Sequence, residues 1–135
     1  MVYITRRETF SAAHRLYQAG LSDTENFELF GKCSNPNWHG HNYTLEVVVA
    51  GEINPATGFV IDIKQLKEII HKYVISKVDH KNLNIDTDFM KGLIPTSENI
   101  VIQIWKQLVD KIPNGKLNSV KLFETENNYF EYCGE

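Results

Sequence analysis

The alternation of apolar and polar positions along the 135-residue chain predicts long extended segments at both ends and two helices between them. Val2, Ile4, Thr9 and Phe10 mark a strand from Val2 to Leu16, with a bulge where the alternation slips at Arg6 and Arg7. Tyr17 to Asn37 keeps no period and holds Gly20, Gly31 and Pro36, so it reads as a long loop with a short helical piece between Glu25 and Phe30. His39 to Ile53 is a second strand, rich in β-branched residues. The turn Asn54-Pro55-Ala56-Thr57-Gly58 then returns the chain into Phe59 to Ile63 as a hairpin.

Ile63, Leu66, Ile69, Ile70, Tyr73 and Val74 recur at helical spacing, giving a first helix from Ile63 to Lys77 with Asp62 as its cap. After a polar segment from Asp79 to Asp88, Thr96 or Ser97 caps a second helix. Its apolar stripe is Ile100, Val101, Ile104, Trp105, Leu108 and Ile112, and Pro113 and Gly115 end it. Leu117 to Thr125 and Tyr129 to Cys133 form a last hairpin around Glu126-Asn127-Asn128. The order ββααββ predicts one α+β domain over residues 1–135, a four-stranded, mainly antiparallel sheet with two helices on one face. So small a sheet leaves unpaired edges, and sheet-to-sheet association of copies is the expected way to cover them.

Composition narrows the function classes. With 42% hydrophobic and 23% charged residues the chain is ordinary globular material, and a net charge of −3 removes the positive field a nucleic-acid binder needs. Arg6 and Arg7 stand where a signal peptide would begin its apolar stretch, and runs such as Val47 to Ala50 are far too short to cross a bilayer. A cytoplasmic protein with no membrane partner is expected, with Cys33 and Cys133 reduced.

The densest chemistry lies in Cys33-Ser34-Asn35-Pro36-Asn37-Trp38-His39-Gly40-His41-Asn42-Tyr43. On a strand, His39 and His41 point the same way, and Gly40 between them admits a close neighbour. Two imidazoles on one face make half of a zinc site, and a catalytic zinc takes three protein ligands with one position open. The third comes from His14, His71 or His80. His71 reads as a helix-surface residue. His14 closes a stretch of small residues, Ser11-Ala12-Ala13, at the end of the first strand, where an antiparallel neighbour brings it beside the pair. The bland alternative is three satisfied histidines on a sheet. Cys33 is either a proton-transferring thiol favoured as thiolate by a nearby cation, or a fourth ligand, or a small buried hydrophobe. Asp79, next to His80, acts either on a third group or merely in a helix-terminal pair, since adjacent residues rarely bond to each other. Glu124 interrupts an apolar alternation. If it faces inward it needs hydrogen-bond donors, as on the edge of a guanidine-like heterocycle, and if outward it is a surface charge.

Taken together, Phe10-Ser11-Ala12-Ala13-His14-Arg15-Leu16, the block from Gly31 to Tyr43, Asp79-His80-Lys81-Asn82-Leu83, Thr96-Ser97-Glu98-Asn99 and Glu124-Thr125-Glu126-Asn127-Asn128 closely resemble the eukaryotic 6-pyruvoyl-tetrahydropterin synthase family over essentially the whole chain. The resemblance implies the tunnelling fold, in which three subunits join their sheets into a barrel and two trimers stack as a homohexamer. It implies one zinc ion per subunit on His14, His39 and His41, with Cys33, Asp79 and His80 as the catalytic set. It also implies that Glu124 anchors the amino-pyrimidine edge and shares in proton relay, while Thr96 and Ser97 line the pterin pocket. The implied reaction takes 7,8-dihydroneopterin triphosphate to 6-pyruvoyl-tetrahydropterin with loss of triphosphate, Mg2+ accompanying the triphosphate.

The chain departs from the family pattern at Ala13, usually serine, and at Trp38, commonly glycine in vertebrate members, which bears on substrate fit. A related reading is the 6-carboxy-tetrahydropterin synthase of the queuosine route, which typically has a shorter gap than the five residues between Cys33 and His39. A second is a catalytically silent pterin-binding module, against which stands the joint presence of Cys33, Asp79, His80 and Glu124. Arg6-Arg7-Glu8-Thr9 has the outline of a basophilic kinase site but reads more simply as a strand with exposed arginines.

Overall fold

A computed structural model describes residues 1–135. Strands β1 (Val2–His14) and β2 (His39–Gly51) pair antiparallel from Val2 opposite Gly51 to His14 opposite His39 without a shift in register. The bulge expected at Arg6 and Arg7 is therefore absent. The apolar pattern slips there because the inward face of β1 carries Arg6 and Glu8 instead of apolar residues. Arg6 Nε donates to Glu8 Oε1 at 2.9 Å, and Glu8 Oε2 lies 2.9 Å from His71 Nε2 on the overlying helix. Burial raises the Glu8 carboxyl, but Arg6 and His71 outweigh it and hold the group below the usual carboxylate range.

The loop after β1 contains helix α1 (Asp23–Phe30), opened by a reciprocal cap between Ser22 and Glu25, and then a single 3-10 turn, Gly31–Ser34. The turn beyond β2 forms as expected, with the Asn54 N–H donating to Phe59 O at 3.1 Å, but Phe59 to Ile63 is not a strand. Its apolar character serves burial without pairing: Val60 and Ile61 are inside, and Phe59 is exposed.

Helix α2 (Ile63–Ile70) starts where Asp62 Oδ1 accepts the Lys64 N–H at 2.9 Å, and runs on through a π-helical turn, His71–Ile75, into Ser76–Val78. Helix α3 (Ser97–Leu108) is capped by the Thr96 hydroxyl. It stops at Leu108, short of the predicted stripe, and Ile112 packs on the core from the following turn.

Five strands form the sheet, not four. The extra one is β3 (Lys81–Asn82), parallel to β1 at Ala12 and Ala13 and too short to show any period. With β4 (Lys116–Thr125) and β5 (Asn128–Tyr132) the sheet order is β3-β1-β2-β4-β5. Both helices lie on one face. Leu66, Ile70, Val74 and Val78 of one stripe and Ile100, Ile104 and Leu108 of the other meet Tyr43, Leu45, Val47, Val49, Val120 and Leu122 from the sheet.

The sheet's one departure from strict phase between β2 and β4 decides where the site forms. Val48 pairs with Ser119 and Val49 with Leu117, which leaves Asn118 unpaired as a bulge. Leu117 and Val120, three residues apart, consequently both face the core, and from there the inward positions are Val120, Leu122 and Glu124. Without the extra residue the alternation set by Leu117 would turn Glu124 to the opposite face.

Candidate active site

His14, the last residue of β1, pairs with His39, the first of β2, and Ala12 pairs with His41. Strand alternation and register together put three imidazoles on the helix-covered face at one end of the sheet. Gly40 permits this: a Cβ there would stand 3.3 Å from the Ala12 carbonyl oxygen, so the close neighbour is the backbone of β1. Ring centroids are 4.5 Å apart for His14 and His39, 5.1 Å for His14 and His41, and 5.0 Å for His39 and His41. One nitrogen from each ring lies within 4.8 Å of the other two, and Cys33 is not in that group.

The nitrogens are arranged for a cation. His14 Nδ1 donates to the Pro95 carbonyl at 2.8 Å, which fixes the tautomer and leaves Nε2 as a lone pair. His14 Nε2, His39 Nδ1 and Nε2, and His41 Nε2 are buried with no hydrogen-bond partner in the protein. Burial pushes His14 down to about 4 and moves His39 in the same direction, so both rings are neutral near pH 7, as metal ligands must be. Three imidazoles with unpartnered nitrogens, His14 buried and His39 and His41 half-buried, fit a three-nitrogen metal site of the catalytic type.

Glu124 faces this site. Its Oε1 lies 3.8 Å from His41 Nε2, and its Oε2 accepts the Ser97 hydroxyl at 2.5 Å. Ser97 is buried, while the Thr96 hydroxyl is engaged in capping, so of the two only Ser97 offers its side chain to the site. Tyr43 follows His39 and His41 on the same face. It stacks on Phe10 at 4.8 Å and meets His41 edge-on at 5.6 Å. Its hydroxyl is buried and unpartnered, and burial, then Glu124 and Cys33, push its phenol far up and keep it protonated. The period of 2 that links the two histidines would have found Tyr43 as well. Cys33 sits half-buried on the Gly31–Ser34 turn, its carbonyl accepting the Leu16 N–H at 2.8 Å.

Asp79 and His80 stand elsewhere. Asp79 Oδ1 accepts the Ser11 N–H at 3.0 Å, and that bond holds its carboxyl below the usual range. Contrary to the expectation for adjacent residues, Asp79 Oδ1 also lies 3.1 Å from His80 Nδ1. A left-handed backbone at His80, φ 58°, makes that contact possible. His80 is highly exposed and opens onto a groove lined by Ser11, Gly40 and Asn42, from the side of the pleat opposite the three histidines, and also by Ala12 and His41. Within one chain, then, the metal-type cluster and Glu124 come together, Cys33 stands outside the group of nitrogens on its own turn, and the Asp79–His80 pair is exposed at the sheet's β3 edge.

The model of the 6-pyruvoyl tetrahydropterin synthase family matches residues 3–135. The chain belongs to that family. The 6-pyruvoyl tetrahydrobiopterin synthase of Homo sapiens is 48% identical over 132 residues, covering 98% of this chain and 91% of the human protein. That of Dictyostelium discoideum is 47% identical over 134 residues, covering 99% and 97%. The structure of Caenorhabditis elegans 6-pyruvoyl tetrahydropterin synthase superposes with a TM-score of 0.91 at 44% identity, covering 99% of this chain and 96% of that one. The α+β architecture is accordingly the tunnelling fold of the 6-pyruvoyl tetrahydropterin synthase family. Trp38 has a left-handed backbone, φ 67°, which explains why glycine suits the position it occupies.

Proposed function

We propose that the chain is a zinc-dependent lyase that converts 7,8-dihydroneopterin triphosphate to 6-pyruvoyl-tetrahydropterin and triphosphate in tetrahydrobiopterin formation. The reading is carried by one juxtaposition: three imidazoles with unpartnered nitrogens beside a carboxylate that Ser97 holds from behind. Zinc, held by His14, His39 and His41, would supply Lewis acidity to the hydroxyls of the substrate side chain. Glu124 accepts hydrogen bonds from the amino-pyrimidine edge of the pterin, and Ser97 by its side chain and Thr96 by its backbone line that pocket. Cys33, as thiolate, takes a proton from a side-chain carbon. One side-chain alcohol carbon is oxidised to a ketone as the ring is reduced, and the other becomes a ketone as loss of triphosphate leaves the terminal carbon a methyl group, so the reaction needs no external redox cofactor.

His80 moves protons through Nε2, since its Nδ1 is engaged by Asp79. The pair's exposed place at the sheet edge, outside the cluster of its own three histidines, supports a role in the site of an adjoining copy. This agrees with a homohexamer in which trimers join sheet edges. Mg2+ enters with the triphosphate, and the protein works in the cytoplasm. No helix is long and apolar enough to cross a membrane.

The deciding experiment incubates the purified protein with 7,8-dihydroneopterin triphosphate, with and without a zinc chelator, and identifies the pterin formed. The expected result is chelator-sensitive 6-pyruvoyl-tetrahydropterin. Release of acetaldehyde with the 6-carboxy product, or binding without turnover, overturns it.

A further inference from the structure

We propose that Arg15, braced by Asn84, is a positioning residue that sets where the Cys33 thiol stands relative to the three histidines, an inference that rests on the proposed role of Cys33. The Gly31–Ser34 turn that carries the thiol follows directly on α1 and has no strand partner, and the hydrogen bonds of a 3-10 turn are poorer in geometry than those of a helix. Two consecutive residues of the segment leaving β1 hold it. The Leu16 N–H donates to Cys33 O at 2.8 Å, and Arg15 Nε donates to Ser34 O at 2.7 Å.

The Arg15 side chain is 13% exposed, so its charge needs directed partners. Its ion pair, at 3.2 Å to Asp23, is with a carboxylate that is 79% exposed and contributes little. Tyr17 covers the guanidinium, with its ring centroid 4.2 Å away. The Ser34 carbonyl is therefore its principal partner, one residue beyond the thiol.

Asn84 holds the other side of Arg15. Its Oδ1 accepts the Arg15 N–H at 2.9 Å and its Nδ2 donates to Arg15 O at 2.9 Å. A side-chain amide thus continues the β1–β3 ladder one step past the Leu83 N–H bond to Ala13 O. Asn84 Oδ1 and Nδ2 on one side and Ser34 O on the other pin the residue that follows His14. The thiol and the histidines are in this way referred to one backbone segment. Lysine at position 15 keeps the charge but loses the planar Nε donor.

The test uses full-length protein carrying Cys133→Ser, which removes the other thiol, and compares Arg15→Lys and Asn84→Asp with that parent. Zinc content, kcat, KM and the rate of Cys33 alkylation by iodoacetamide at fixed pH are measured. Both variants are expected to keep zinc and a KM within about twofold while kcat falls roughly tenfold or more and the alkylation rate moves several-fold, because small misplacements of a reacting group are costly. Unchanged kcat and alkylation in folded variants overturn the proposal, as does a loss of zinc, KM and kcat together in step with thermal stability. If the parent forms no pterin product, the lyase reading fails, and the alkylation rates still decide whether the brace positions the thiol.

Discussion

His39 and His41 were legible as a pair in the sequence because strand side chains repeat every second residue, and His14 because an antiparallel partner returns alongside. Their separation from Cys33 in role leads to the first prediction. His39→Ala or His41→Ala loses both bound zinc and turnover. Cys33→Ala keeps stoichiometric zinc by metal analysis while turnover drops by on the order of a hundredfold or more. Normal turnover in Cys33→Ala would refute the thiol's role. The second prediction concerns protons. Burial holds His14 down to about 4 in the folded chain, against an ordinary value of 6.5. Between those values the unfolded state of the metal-free protein binds more protons, so stability is full above pH 6.5 and is lost as pH falls toward 4. The loss is on the order of 3 kcal/mol for this residue. Urea midpoints from pH 7.5 to 4.5 should show the fall, and His14→Gln should flatten it. Glu124 was not legible to the same degree. Nothing within Lys121-Leu122-Phe123-Glu124 reveals which way it faces, since that depends on Asn118 having no partner on β2.

At the scale of elements, the helices and the four long strands follow from periodicity, because each has enough residues to display it. Three features escaped for physical reasons. Two-residue β3 exists only because β1 offers an edge, Val60 and Ile61 are apolar because they are buried under the sheet without pairing, and the π-turn at His71–Ile75 inserts a wider turn that leaves the apolar stripe intact. The bulge yields the third prediction. Deleting Asn118 forces β4 either to turn Val120, Leu122 and Glu124 away from the helices or to slip its pairing with β2. Turning the two buried apolar residues outward costs several kcal/mol. A large fall in urea midpoint is expected, whereas Asn118→Ala, which keeps the spacing, should stay within about 1 kcal/mol of the parent at this exposed position.

At the scale of the molecule, the sheet ends in two open edges, β3 and β5, and Asp79 and His80 flank the first. If copies join as proposed, Cys33→Ala and His80→Ala proteins, each expected to be nearly inactive, should regain turnover when unfolded and refolded together, because mixed assemblies contain some sites with both groups intact. No recovery would mean that each chain completes its own site. The outward placement of the Asp79–His80 pair also bears on mass action. All three imidazoles come from a single chain, so zinc occupancy should be insensitive to protein concentration. Turnover per chain, in contrast, should decline on dilution below the point at which the proposed assembly dissociates. Metal content and activity, ordinarily read as proxies for one another, would then part company in a dilution series, and the concentration at which they diverge would measure the strength of the association between copies.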